Sequence, residues 1–242
     1  MRIPNQSLRK SEVLNCIRSR IEKDKRLKGE IYSLIIYGSF VRGDFVKEVS
    51  DVDFFVVIRD NEDILTDLRS ILEECIKSLN PVEVDLAWEF LGNLHDPLNK
   101  GVPFKFLTIY QKDFLENHIV VYGDEIAQLL PKYRFEELIE WRAKRLLKLA
   151  ERHNENLKML HITAGEAVRL LALINGAESL KKGDVLKILQ SLGDKEALSI
   201  YEAYINGRSM PFSGPFLKGF IISRCEKMLK TIRASNKRFK IL

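Results

Sequence analysis

Two apolar runs near the start of the chain are separated by a Gly-Ser turn and two closely spaced aspartates. The runs are Ile31–Tyr37 and Val52–Ile58. Gly38 and Ser39 follow the first run directly, and Asp51 and Asp53 open the second. Continuous apolar runs of this length predict strands that are buried on both faces. Because an unpaired charge is costly to bury, the aspartate within the second run requires an explanation.

The spacing of the two aspartates suggests a metal site. Residues two apart on a strand face the same side, so the carboxylates of Asp51 and Asp53 lie side by side and repel each other. A divalent cation removes this repulsion, and hard oxygen ligands favour Mg²⁺. Asp85 lies on the polar face of the next predicted strand, 82–87, and can bring a third carboxylate. Three converging carboxylates are typical of two-metal phosphoryl or nucleotidyl transfer.

The alternative is that Asp51 caps a turn and Asp53 faces solvent. Aspartate is disfavoured in strands, and residues 54–58 are apolar throughout, which favours the metal site. In haloacid-dehalogenase phosphatases and metal-dependent glycosyltransferases, such a pair generally ends an apolar strand. Here the pair opens one, which disfavours both classes.

The Gly-Ser turn suggests a phosphate-binding element. Gly38 allows a tight turn and a close approach of phosphate to the backbone. Ser39 is predicted to cap the short helix that follows, and Arg42, about one turn along, to neutralise a phosphate oxygen. Alone, Gly-Ser would indicate only a strand-to-helix turn. The P-loop and Rossmann glycine patterns are both absent from the chain.

The order of predicted elements indicates two domains, 1–130 and 131–242. In the first, helices 7–28 and 61–79 alternate with the strands in a small α/β sheet, with possible edge strands at 104–110 and 118–122. From residue 131 the pattern is helical and predicts an antiparallel bundle. Its helices are expected at 135–159, 163–175, 184–192, 195–205 and 215–232.

Charge and cysteine content add weaker expectations. The net charge of +5 divides into −5 for residues 1–130 and +10 for the remainder, which suggests either an anionic partner or solvated basic helix faces. Cys16, Cys75 and Cys225 are far apart and are expected to be buried small side chains without a disulfide or zinc site. With no apolar run of membrane-spanning length and no signal-like N-terminus, a cytoplasmic protein is expected.

The motifs resemble the signature of the DNA-polymerase-β-like nucleotidyltransferase superfamily. The resemblance covers about the first 90 residues and includes Gly38-Ser39, Arg42-Gly43, Ser50-Asp51-Val52-Asp53 and Val84-Asp85-Leu86. The helical half more loosely resembles the C-terminal bundle of kanamycin- and streptomycin-type nucleotidyltransferases. The resemblance implies an α/β (α+β) domain with a small mixed sheet, followed by an all-α bundle.

The same resemblance implies transfer of a nucleoside monophosphate, here expected to be AMP, from an NTP to an acceptor hydroxyl, with release of pyrophosphate. Asp51 and Asp53 would hold two Mg²⁺ ions, and Asp85 the ion that activates the acceptor. Gly38, Ser39 and Arg42 would bind the β- and γ-phosphates. The helical domain would shape the acceptor pocket, and related two-domain enzymes suggest a possible homodimer.

The sequence does not identify the acceptor or the general base. The basic second half disfavours a polycationic acceptor and favours a neutral or anionic small molecule, a protein or RNA. An RNA-acting nucleotidyltransferase and an antitoxin-like protein-binding module are the alternatives. Glu166 is a candidate base, although a solvated or helix-capping carboxylate is the more common role for such a residue.

Overall fold

The computed structural model describes residues 6–46, 50–79, 83–206 and 211–239. The chain divides into two compact units, Met1–Lys132 and Tyr133–Leu242. Within the described residues, no helix is both long enough and apolar enough to cross a lipid bilayer.

The first unit is built on a four-stranded mixed sheet with the strand order β3-β2-β1-β4. The strands are β1 (Ile31–Tyr37), β2 (Val52–Ile58), β3 (Val84–Phe90) and β4 (His118–Gly123). Strand β1 is antiparallel to both β2 and β4, whereas β2 and β3 are parallel. The helices of this unit are α1 (Gln6–Lys23), α2 (Lys25–Glu30), α3 (Ser39–Arg42), α4 (Leu65–Ile76) and α5 (Gln111–Glu116).

Both faces of the sheet are covered, as the continuous apolar runs predict. On one face, Leu34 and Phe54 pack with apolar side chains of α1 and α4, among them Ile17 and Leu72. The opposite face is covered by the segment that follows β3. The buried cluster on this face combines residues of the sheet with residues of that segment: Ile35, Phe55, Val57, Leu94, Leu107, Phe114, Ile126 and Leu130. The sheet is therefore the central layer of this unit, with apolar clusters on both of its faces.

Several predicted elements differ in detail from the structure. The helix expected at 7–28 is broken at Asp24, whose carboxylate accepts hydrogen bonds from the N–H groups of Arg26 and Leu27 and caps α2. The strand expected at 104–110 is wrong, because this segment forms a 3₁₀ turn at Lys105–Leu107. The strand expected at 118–122 is confirmed as the edge strand β4.

The prediction for the cysteines is wrong for two of the three. Cys16 on α1 and Cys75 on α4 form a disulfide that closes a separation of 59 residues. Cys225 is a buried free thiol, as expected. The cysteine pattern therefore carries no argument for a reducing compartment.

The second unit is helical. Its helices are α6 (Phe135–Arg152), α7 (Leu157–Ile174), α8 (Lys182–Leu192), α9 (Lys195–Ile205) and α10 (Gly214–Phe239). The single helix expected at 135–159 is two helices, since the chain turns after Arg152 and Asn156 caps α7 through the Met159 N–H. Most residues of helix α7 are buried, and the helix contacts α6, α8, α9 and α10. The all-α character of this unit is confirmed.

Candidate active site

All four described strands have an end at the same end of the sheet. Strand β1 finishes at Tyr37, and β2, β3 and β4 begin there. The register pairs Tyr37 with Asp53 and Asp53 with Asp85. Since residues paired in register on neighbouring strands point to the same face, these three side chains form a row across the sheet. The structure thus brings Asp85 beside Asp53, as the sequence predicted.

Gly38 packs directly against this row. Its backbone has φ 74°, a conformation that residues with a Cβ rarely adopt, and a Cβ atom there would overlap the Asp53 carboxylate. Gly38 is also the N-cap of α3 and has no side chain to cap it, so Ser39 is the first helical residue. The prediction that Ser39 caps this helix is therefore wrong. Ser39 still lies immediately after the glycine, at the same end of the sheet.

Tyr37 is a further polar group at the site, and no sequence motif marks it. Burial raises the pKa of Tyr37 well above its usual value, and the negative charges of Asp53 and Asp85 raise it further. Its ring packs 4.5 Å from the Phe106 ring and 5.4 Å from the Phe114 ring, measured between centroids. The phenol is therefore protonated at neutral pH and supplies an O–H group next to two carboxylates.

Arg42 is held by carboxylates. Its Nη1 lies 2.9 Å from Oδ2 of Asp113 on α5, and its Nε lies 3.3 Å from Oδ1 of Asp44. The side chains of Arg42 and Asp113 are both only 11% exposed, so this pair is largely shielded from water. The ion pair ties α3 to α5. The role of Arg42 as a phosphate ligand stays a prediction.

The donor set at the strand ends suits Mg²⁺ without forming a complete cage. The part of the chain that the structure describes contains no group of three or more His, Cys, Asp or Glu side chains arranged to hold a metal ion. Mg²⁺ usually takes one or two carboxylates and completes its shell with water and substrate phosphates. Asp53 and Asp85, in register on adjacent strands, match that requirement. Asp51, two residues before Asp53 and partly buried, lies at the same end of the sheet.

Glu166 has a different environment from the one expected. It is only 4% exposed, and its carboxylate pairs with Arg142 of α6, which is 5% exposed. Glu166 is therefore neither solvated nor a helix cap. It holds α7 to α6, and breaking such a buried pair by removing one partner is strongly destabilising.

Comparison with known proteins agrees with this geometry. Residues 17–122 match the family model described as the nucleotidyltransferase domain. The match spans β1, the Gly-Ser turn, β2 and β3, and so contains every residue predicted to bind metal or phosphate. Most of this unit therefore matches a nucleotidyltransferase domain, which indicates that the chain is a transferase. The match agrees with the resemblance to the DNA-polymerase-β-like superfamily that the motifs suggest.

The similarity in fold to a known structure extends beyond residues 17–122. The spectinomycin adenyltransferase of Enterococcus faecialis, whose crystal structure contains ATP and spectinomycin, is similar with a TM-score of 0.59 and 15% sequence identity. The similarity covers 90% of this chain and 98% of that one. At this identity the likeness shows a common fold, in which a small mixed sheet precedes a helical region. No protein of curated function matches the sequence significantly.

Proposed function

We propose that this nucleotidyltransferase moves AMP from ATP to a hydroxyl group of an acceptor and releases pyrophosphate, in a Mg²⁺-dependent reaction. The observation that carries the proposal is the register that sets Asp53 beside Asp85, with Gly38 against the Asp53 carboxylate. A carboxylate pair next to a glycine turn places metal-binding groups beside a backbone that a triphosphate can approach closely.

In the proposed reaction, the acceptor oxygen forms a bond to the α-phosphorus while the bond from that phosphorus to the bridging oxygen of pyrophosphate breaks. The acceptor hydroxyl loses its proton. Catalysis of this kind depends mainly on positioning and on neutralising charge. Gly38 and Ser39 would receive the β- and γ-phosphates, with Arg42 close by on α3.

Asp51, Asp53 and Asp85 are the residues that would hold Mg²⁺. The bound metal would offset the repulsion between the carboxylates and the negative charge of the phosphates. Asp85 is the most exposed of the three, so it is the carboxylate best placed to serve the acceptor side. Tyr37 stays protonated and would orient the neighbouring carboxylates through its O–H group.

ATP and a small-molecule acceptor are proposed because the spectinomycin adenyltransferase, which has a similar fold, was solved with ATP and spectinomycin. For the acceptor of this chain, the +10 charge of residues 131–242 favours a neutral or anionic compound over a polycation. That charge also keeps an RNA acceptor as the second candidate, which would show strongly salt-dependent binding.

The test is incubation of the purified chain with Mg²⁺ and ATP labelled at the α-phosphorus or, in parallel, at the γ-phosphorus. Acceptors are offered as separate panels of aminocyclitols, neutral and anionic hydroxyl compounds, tRNA, and proteins from a cell extract. The α-label should appear on an acceptor while the γ-label leaves as pyrophosphate. Transfer of the γ-label to the acceptor, or an absence of any labelled acceptor across the panels, would contradict the proposal.

Two variants link this activity to the site. Asp53→Asn and Asp85→Asn should each lower transfer by about two to three orders of magnitude, because each removes a charged metal ligand. Their melting temperatures without metal should be unchanged or higher, since carboxylate repulsion is relieved. Asp60→Asn, at an exposed position just after β2, is the matched control and should retain full activity. Near-normal transfer by Asp53→Asn would refute the metal role.

A further inference from the structure

A lysine from the first helix contacts Phe40, the residue of α3 that directly follows the Gly-Ser turn. The Lys10 ammonium is 5.5 Å from the centroid of the Phe40 ring, and Phe40 directly follows Ser39. Partial burial lowers the pKa of Lys10 below its usual value. The described residues offer Lys10 no carboxylate within ion-pair distance, so the aromatic face is the partner that the structure shows.

The two cations near the turn thus differ in how their charge is balanced. Arg42 is engaged by Asp113 and Asp44 and is committed to the ion pair that ties α3 to α5. Lys10 carries a charge that no carboxylate of the described chain offsets. A bound triphosphate brings several negative charges to a place where the strand ends already supply carboxylates. Beside the proposed Mg²⁺, a side-chain cation that is available to the phosphates would strengthen their binding.

We propose that Lys10 is a nucleotide-binding residue whose ammonium contacts the β- or γ-phosphate of the NTP. This inference rests on the proposed function. A lysine ammonium on its flexible four-carbon stem can exchange a contact with an aromatic face for a phosphate oxygen. A charge-assisted hydrogen bond to phosphate is stronger than a partly exposed contact between a cation and a ring, so nucleotide binding favours the exchange. Arg42 then acts by positioning α3, and Lys10 supplies the cation.

The experiment compares Lys10→Met, Lys10→Arg and the wild type. Methionine keeps an unbranched apolar chain over the Phe40 ring while it removes the charge. Lys10→Met should raise the KM for ATP about tenfold or more and change kcat by less than about threefold, whereas Lys10→Arg should restore most of the affinity. Lys28→Met, at an exposed position on α2, is the matched control and should leave both constants unchanged.

Measurements of nucleotide binding without turnover distinguish a failure of the proposed Lys10 contact from a failure of the proposed function. Lys10→Met should weaken the binding of ATP and leave the binding of adenosine nearly unchanged, because only ATP carries the β- and γ-phosphates. If the wild type binds ATP and Lys10→Met binds it equally well, the role of Lys10 is overturned and the proposed function stands. If the wild type neither binds ATP nor transfers label, the proposed function and this inference are both overturned. Equal losses for ATP and adenosine would indicate a packing defect and would also overturn the phosphate contact.

Discussion

Gly38 leaves room for the Asp53 carboxylate: the glycine lies where any β-carbon would overlap that carboxylate, and its φ of 74° excludes most other residues on backbone grounds alone. The turn after β1 and the start of β2 are therefore fitted to each other. A glycine is required both by the backbone and by the neighbouring side chain. The close packing of Gly38 against Asp53 therefore explains the glycine of the Gly-Ser motif without reference to any ligand.

Gly38→Ala should therefore abolish transfer. The methyl group displaces the Asp53 carboxylate and strains the backbone, and we expect a loss of about 1–3 kcal/mol in the free energy of unfolding. Activity assays and urea denaturation measure the two effects. Gly29→Ala is the matched control, since a Cβ there meets nothing within 4 Å and the residue lies in α2. Full activity of Gly38→Ala would show that the close approach is not needed for catalysis.

The central strands could be predicted because their signal is local. β1 and β2 are continuous apolar runs, and the sheet buries both of their faces, so pattern and structure coincide. Strand β3 begins at Val84 and continues beyond the predicted end at residue 87 through Trp88-Glu89-Phe90, whereas position 82 of the predicted strand lies outside the described residues. In the segment 104–110, Phe104, Phe106 and Leu107 pack onto the sheet face from a turn and do not pair with a strand. Apolar composition alone does not distinguish these two ways of burying a segment.

The ion pair between Arg42 and Asp113 gives a second prediction. The two residues are 71 positions apart, and removing one partner leaves the other charge poorly hydrated. Asp113→Asn should lower the free energy of unfolding by about 1–3 kcal/mol and raise the KM for ATP more than it lowers kcat, because α3 loses its anchor.

Lys112→Gln provides the control for that variant. Lys112 neighbours Asp113 on α5, is 73% exposed, and lies 3.8 Å from Glu116 across one helical turn. An exposed pair of this kind contributes little, so stability and KM should stay within error of the wild type. A kcat loss in Asp113→Asn with an unchanged KM would mean that Arg42 does not position the phosphate site.

The disulfide between Cys16 and Cys75 gives a third prediction. Closing a loop of this length should stabilise the folded state by about 2–4 kcal/mol, so reduction should lower the denaturation midpoint of the nucleotidyltransferase domain. The double variant Cys16→Ser/Cys75→Ser should match the reduced wild type and show no response to reductant. An equal midpoint with and without reductant in the wild type would show that the bond is absent in solution or contributes nothing.

Contacts between side chains that are far apart in the sequence could not be predicted from the sequence. The partners in the disulfide and in the pair between Arg42 and Asp113 are brought together only by the sheet and its covering helices, and no local pattern marks them. Tyr37 was included in a predicted strand, but its place beside Asp53 and Asp85 depends on the register of both neighbouring strands. By contrast, the alternation of polar and apolar residues in β3 was enough to place Asp85 on the polar face of its strand, from which it can join Asp51 and Asp53.

His161 gives a fourth prediction, on the pH dependence of the helical unit. It is 2% exposed, and Nε2 lies 3.3 Å from the Ile200 carbonyl oxygen. Burial lowers the pKa of His161 below its usual value, and the hydrogen bond to Ile200 offsets only part of this effect. The unfolded chain therefore binds a proton more readily than the folded one. The contribution of the neutral, buried His161 to the free energy of unfolding is complete above a pH of about 6.5 and is lost as the pH falls below that value.

Denaturation curves measured between about pH 7.5 and pH 5 test this dependence, whose slope from one histidine is at most about 1.4 kcal/mol per pH unit. His161→Gln keeps a hydrogen-bond donor and removes the titration, so its stability should fall less steeply with acid than that of the wild type. His153→Gln, at the partly exposed C-cap of α6, should retain the wild-type slope. If His161→Gln and the wild type lose stability in parallel, the acid sensitivity arises elsewhere and His161 is not its source.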